Sequence, residues 1–325
     1  MSNYSGYSLS GCLIDETWQG PRLESTGGSD PLSRSGMSEE AGTLPPLVDL
    51  RRWCSPVEDQ RGTQSCVANA VVGALELLQR KEGHSDQDLS RLFVYFNSRK
   101  LHDLEELDAG TYVHTAMAAI LAHGICEERM WPFSELTVNE APTQACYDNA
   151  QNYRAVQFAE VPQGTPLTHV LASGIPAVMA VQLPREAYDI AHQTGTMDLP
   201  PGGGSPHTHG NHSMLVVGYD LDQKAYIVRN SWGERWARGG YCLMPMALFH
   251  QRSFARQTWA IGSLGAAPGL RLLGVSVAEA MGGMSQAAQK ATAPLTSDPG
   301  AALRDEFQGN VDRARSTFAN RLRDR

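Results

Sequence analysis

The chain has 325 residues, enough for one large or two medium domains, each able to bury a core. With 42% apolar and 19% charged residues, it falls outside the disordered, collagen-like and membrane classes. A net charge of −8 and the lack of a basic stripe argue against nucleic acid as the main partner, because phosphate contacts need clustered Lys and Arg. No apolar run approaches the roughly 20 residues that cross a bilayer, so no membrane insertion is expected. Met1 to Ser10 is polar and lacks a basic segment followed by an apolar one, the pattern of a classical secretory signal. The six cysteines, Cys12, Cys54, Cys66, Cys126, Cys146 and Cys242, are scattered singly, as reduced thiols of a cytoplasmic protein would be.

Residues 1–46 are rich in Gly, Ser and Pro, close on Pro45-Pro46, and read as an arm. From Cys66 to Lys81 the apolar residues Val67, Ala70, Val71, Ala74, Leu75 and Leu78 recur at helical spacing, with Gly83 as a stop. This predicts a buried helix with Cys66 at its N-terminal end. Leu89 to Asn97 and Tyr112 to His123 are predicted as further helices. The second half changes character: Ile175 to Leu183, Ser213 to Tyr219 and Ala225 to Val228 are rich in Val, Ile and Tyr and are punctuated by Asp220 and Asp222, a strand signature. A helical half followed by a strand-rich half predicts an α+β fold of two lobes with a cleft between them. The expected boundaries are 47–264 for the domain, with lobes at about 47–155 and 156–264. Residues 265–325 form an Ala- and Gly-rich tail with one marginal helix over Ala301 to Arg325.

A cysteine opening a helix is weak evidence for chemistry when it stands alone, since free cysteine is usually a small buried hydrophobe. Three further blocks strengthen it: Gln60, six residues upstream of Cys66; His212, opening the strand His212-Ser213-Met214-Leu215-Val216-Val217-Gly218-Tyr219; and Asn230-Ser231-Trp232-Gly233, with Gly239-Gly240-Tyr241 behind it. In order and spacing these resemble the papain family of cysteine peptidases. Asp108-Ala109-Gly110 resembles the family's paired cleft glycines. Gly124-Ile125 through Glu128 to Trp131-Pro132-Phe133, and Gly174-Ile175-Pro176, resemble its intervening segments. The resemblance covers roughly Val48 to Gly262. Three positions depart from it: Thr63 stands where the family usually has a disulfide-bonded cysteine, Gln64 replaces a glycine, and Val67 replaces a tryptophan.

The resemblance implies a papain-like two-lobe fold and a cysteine endopeptidase acting on protein or peptide substrates without a cofactor. Cys66 would be the nucleophile, His212 the proton carrier, Asn230 the group that orients the imidazole, Gln60 an oxyanion donor with the Cys66 N–H, and Trp232 a shield over the His–Asn bond. Gln64, Ser65, Gly110 and Asn211 would line the cleft. A thiol is a poor nucleophile near its ordinary pKa of about 8.5, so a helix N-terminus and an imidazolium are expected to hold Cys66 as thiolate at rest. His207-Thr208-His209 has metal-ligand character but adjoins Gly202 to Gly204 and Pro206, a loop, and no metal is assigned. Acyl transfer to an amine through the same acyl-enzyme, and an inactive peptide-binding module, are the alternative readings. The arm, with Cys12-Leu13-Ile14, Trp18 and Leu44 as its apolar pieces, is expected to lie over the cleft as an intramolecular inhibitor. Delivery into another cell as a bacterial effector is left open.

Overall fold

The computed structural model describes residues 6–16, 18, 44–83, 86–152, 157–161, 167–204, 209–251 and 254–262. The tail from 265 onward, with its expected helix, lies outside the described residues. In chain order the elements are β1 (Cys12–Leu13), β2 (Leu47–Asp49), α1 (Cys66–Lys81), α2 (Arg91–Lys100), β3 (Thr111–Tyr112), α3 (Val113–His123), α4 (Gln144–Ala150), β4 (Gln157–Glu160), α5 (Leu167–Ala172), β5 (Ala177–Pro184), α6 (Arg185–Thr194), β6 (His209–Asp220), β7 (Ala225–Arg229), β8 (Tyr241–Pro245), α7 (Met246–Phe249) and β9 (Ala255–Gly262).

Helix α1 is buried at every position from Cys66 to Leu78, so it is the axis of a core and not a surface helix. It packs on α2 and α3 on one side and on β6 on the other. Helix α2 begins at Arg91, two residues later than predicted, because the Ser90 hydroxyl accepts from the Phe93 N–H at 3.1 Å and caps it there. Tyr112, predicted as helical, is instead extended: Thr111–Tyr112 pair in parallel with Cys12–Leu13.

Seven strands form one sheet in the order β4-β9-β5-β6-β7-β8, with β2 paired to β6. Leu47–Asp49, although ahead of the helices in sequence, thus joins the strand-rich half. Strand β6 starts four residues before Ser213, because His209 to His212 pair with Pro184 to Val181 of β5. The sheet is buried on both faces, as the alternation of side chains shows. Leu215 and Val217 of β6, Val178 and Ala180 of β5, and Trp259 and Ile261 of β9 share a core with α1. Their neighbours Met214, Val216, Ala177, Met179, Val181 and Ala260 face a second core with α5 and α6. Two lobes therefore meet along α1 and β6, in an α+β arrangement.

Leu215→Ala, on the β6 face toward α1, is expected to destabilise the protein by about 2–5 kcal/mol in urea denaturation. The control is Leu47→Ala; Leu47 is 53% exposed, and its loss is expected to change stability by less than about 0.5 kcal/mol.

Candidate active site

Cys66 is the first residue of α1, and its approach loop is tied to the opposite lobe. The Gln60 N–H donates to the Ser231 carbonyl at 2.8 Å and the Gly233 N–H donates to the Glu58 carbonyl at 2.8 Å, with Asp59 and Trp232 bridged between them. The segment before Cys66 and the segment after Asn230 are thus locked antiparallel. Within this lock, the Gln60 side-chain oxygen accepts from the Ser231 hydroxyl at 2.6 Å, and its Nε2 donates to the Thr63 carbonyl at 2.8 Å. A primary amide nitrogen carries two N–H bonds, so the second is left for another acceptor.

His212, buried on β6, places Nε2 2.8 Å from Asn230 Oδ1. The same oxygen accepts the Ser231 backbone N–H at 2.9 Å, which fixes the amide with its oxygen toward the ring. Nε2 must then be the donor, and Nδ1, buried and without a hydrogen-bond partner, carries the lone pair. The Trp232 ring lies 5.3 Å from the imidazole and Tyr188 meets it edge-on at 5.5 Å, which keeps water from the His–Asn bond. The Cys66 sulfur is approached by the backbone N–H of Ser213, next to His212, and by those of Val67 and Cys66 itself.

Burial pushes the Cys66 thiol up to about 12, against those N–H contacts. Burial also lowers His212 to about 4, while its bond to Asn230 raises it. Both groups are therefore neutral in this state, which departs from the thiolate–imidazolium pair expected from the sequence. The cause is burial, which removes the water that would stabilise the two charges.

Residues 44–258 match the family described as papain family cysteine protease. The chain belongs to that family. It is 28% identical over 227 residues to an uncharacterized peptidase-like protein of Acanthamoeba polyphaga mimivirus, covering 66% of this chain and 72% of the viral protein. It is 26% identical over 217 residues to cathepsin K of Mus musculus, covering 63% of this chain and 61% of cathepsin K. Among solved structures, xylellain, a cysteine protease from Xylella fastidiosa, superposes with a TM-score of 0.65 at 26% identity, covering 81% of this chain and 98% of xylellain. The protein is thus a papain-type cysteine peptidase with that family's fold.

In this peptidase the N-terminal segment runs through the cleft. The Thr111 N–H donates to the Gly11 carbonyl at 3.0 Å, and a Cβ on Gly11 would lie 2.9 Å from Cys66 Sγ. Gly110, at φ +77°, meets the segment as closely: a Cβ there would lie 2.6 Å from the Gly11 carbonyl oxygen. Toward the Asn230 side, Tyr7 stacks on Trp232; the Ser10 hydroxyl donates to Gln64 Oε1 at 2.8 Å. Toward the other end, Gln257 Nε2 donates to the Asp15 carbonyl at 2.7 Å, Glu16 pairs with Arg256, and Trp18 is buried against Trp259 and His114.

Of the cleft residues read from the sequence, Gln64 and Gly110 touch this segment. The Ser65 hydroxyl points elsewhere: it is buried and bonded to Thr63 Oγ1 at 2.7 Å and to Asn69 Nδ2 at 3.0 Å. Asn211 is half-buried on β6, opposite Gln182. Among the described residues no group of three or more His, Cys, Asp or Glu could hold a metal ion, and His207 lies outside them.

Sequence reasoning passed over Asp108, whose carboxylate takes the place of a covalent tie. All six cysteines are thiols, and Thr63 is not cross-linked. Instead the Gln64 N–H donates to Asp108 Oδ1 at 3.0 Å and its side-chain amide donates to the Asp108 carbonyl. The Tyr95 hydroxyl donates to Asp108 Oδ1 at 2.5 Å and accepts from the Gly110 N–H at 2.9 Å. This relay pins the loop before Cys66 to the cleft wall. Asp108→Ala is expected to cost about 1–3 kcal/mol, the penalty for orphaning partly buried donors. Reducing agent is expected to leave the wild-type melting temperature unchanged in the same experiment.

Burial holds three histidines neutral: His102 at about 4, His114 at about 3 and His212 at about 4. The unfolded chain binds these protons near the ordinary value of about 6.5, so their contribution to stability is complete above that pH and is lost as pH falls toward 4. Each should add about 1.4 kcal/mol per pH unit to the slope of unfolding free energy across this window. His114→Leu is expected to remove about one such increment, read from urea denaturation between pH 6 and 4.5.

Proposed function

We propose that this peptidase is an endopeptidase working through a Cys66 acyl-enzyme, and that its own N-terminal segment keeps it latent. The observation that carries the first part is the fixed tautomer of His212: with Nε2–H donated to Asn230 Oδ1, the Nδ1 lone pair is the only basic position of the ring.

Once the segment leaves and water enters, the helix N-terminus and the imidazole favour transfer of the thiol proton to Nδ1. The thiolate attacks the peptide carbonyl, and the oxyanion is received by the second N–H of Gln60 and the N–H of Cys66, which opens α1 and has no intrahelical acceptor. Collapse expels the amine with the proton from Nδ1 and leaves a thioester on Cys66. Water, giving a proton back to Nδ1, hydrolyses the thioester and releases the acid. Ser231 acts through two neighbours, holding Gln60 by its hydroxyl and Asn230 by its N–H.

Latency is supported by the cover itself. The segment passes Cys66 at Gly11, where an added Cβ would meet the Gln64 carbonyl oxygen first and lie 2.9 Å from Cys66 Sγ, so a side chain has no room. Overpacking of this kind costs about 1–3 kcal/mol, which shifts a closed–open equilibrium about 5- to 150-fold.

The test is a peptide-library digest read by mass spectrometry. Internal cleavages are expected from the wild type and none from a folded Cys66→Ala protein, and Asn230→Ala should lose less turnover than His212→Ala. Gly11→Ala should accelerate both hydrolysis and carboxymethylation of Cys66 by about fivefold or more. Cleavage by Cys66→Ala would overturn the mechanism, and an unchanged labelling rate in Gly11→Ala would overturn the latency.

A further inference from the structure

The covering segment crosses the cleft with Tyr7, N-terminal to Gly11, on the side where a substrate's C-terminal residues would leave, so it runs opposite to a substrate and its side-chain contacts, not its backbone ones, chart what the cleft accepts. Tyr7 is held by three groups from three places in the chain. Its ring lies on the Trp232 indole, with centroids 5.0 Å apart and planes at 30°. Its phenol O–H donates to Asp59 Oδ1 at 2.7 Å. Its carbonyl accepts from Arg185 Nη2 at 2.5 Å.

Neither Asp59 nor Arg185 has a part in the acyl-enzyme chemistry, yet both are positioned. Asp59 is bridged to Trp232 through the backbone, and its Oδ1 also accepts the Arg61 N–H at 2.8 Å, so the acceptor is oriented by its own loop. Arg185 opens α6, and Tyr188 one turn on packs against Trp232 with ring centroids 5.2 Å apart. A platform, an anionic acceptor and a cationic donor are thus fixed relative to one another by rigid elements.

Chemistry decides which side of the scissile bond this is. His212 gives its proton to the departing amine, so the residues that leave with the amine must pass over His212 and Trp232, which are 5.3 Å apart. Tyr7 is four residues from Gly11, and an extended chain covers about 3.3–3.6 Å per residue, which places the site within the first few positions beyond the bond.

We propose that Trp232 and Asp59 form a specificity pocket for a tyrosine side chain on the leaving-group side of the scissile bond, a pocket that Tyr7 of the same chain occupies in the covered state while Arg185 holds its backbone carbonyl. Phenylalanine would stack on Trp232 equally well but give Asp59 no donor. Leaving a positioned polar group without its partner is what discriminates strongly in such sites. The inference rests on the peptidase reading above, and the two experiments below separate their failures.

In the first, full-length protein is given pairs of internally quenched peptides identical except for Tyr or Phe at the first, second or third position beyond the cleaved bond. One pair is expected to favour Tyr by about tenfold in kcat/KM, and the ratio to fall to near one in Asp59→Ala. Equal kcat/KM within all three pairs overturns the pocket. The second does not use turnover: the rate of Cys66 carboxymethylation by iodoacetamide is measured in Tyr7→Phe, Asp59→Ala and the double variant. Each single change is expected to accelerate labelling several-fold, and the double variant to be no faster than the faster single, because both remove one hydrogen bond. Multiplicative effects, or no effect of Tyr7→Phe, overturn the pocket. Absence of peptide hydrolysis alongside this coupling would overturn the peptidase reading alone.

Discussion

Helix α1 lying on strand β6 is the contact on which the rest of the molecule depends. The helix is buried from its first residue, and its N-terminus ends against the part of the strand that carries His212 and Ser213. Neither element could keep this position alone, since a helix buried on every side must be enclosed by other elements. The enclosing groups are Leu215 and Val217 from the strand and α2 and α3 on the far side. Cys66 and His212 are 146 residues apart in the chain, and this contact brings their segments together in the fold.

The second constraint is the antiparallel lock between Glu58–Gln60 and Ser231–Gly233. It converts one short segment, Asn230-Ser231-Trp232, into the organiser of three functional groups. Asn230 orients the imidazole, Ser231 holds both amides, and Trp232 walls off the ring. Hydrogen bonds inside this low-dielectric lock are individually modest but mutually oriented, and an orphaned member would be costly. The Asp108–Tyr95 relay serves the other flank of the Cys66 loop, with charge-assisted hydrogen bonds in place of a disulfide.

The covering segment changes the electrostatics of the site as well as its access. With the segment in place the Cys66 thiol and the His212 imidazole are both enclosed, and burial favours the neutral form of each. Its close approach depends on glycine on both sides, Gly11 in the segment and Gly110 in the wall. The same segment seats the Tyr7 side chain on Trp232 and Asp59.

From the amino-acid sequence alone the fold class was legible, and so were the segments that carry Gln60, Cys66, His212 and Asn230, which the fold brings to one place. The helix over Cys66–Lys81 was read to its exact bounds, since 16 residues of strong periodicity leave little freedom. The two-residue β3 was read as the first turn of α3, because so short a strand takes its conformation from its partner β1; the ten-residue α6 was not read at all. The roles of Asp108, Ser231 and Tyr95 were hidden for a related reason, as each acts across a distance in sequence through a hydrogen bond that no local pattern encodes. The inward turn of the Ser65 hydroxyl, the neutral protonation of the Cys–His pair and the seating of Tyr7 on Trp232 were decided only by tertiary structure. All three depend on which groups exclude water from which others, and burial is a property of the packed chain.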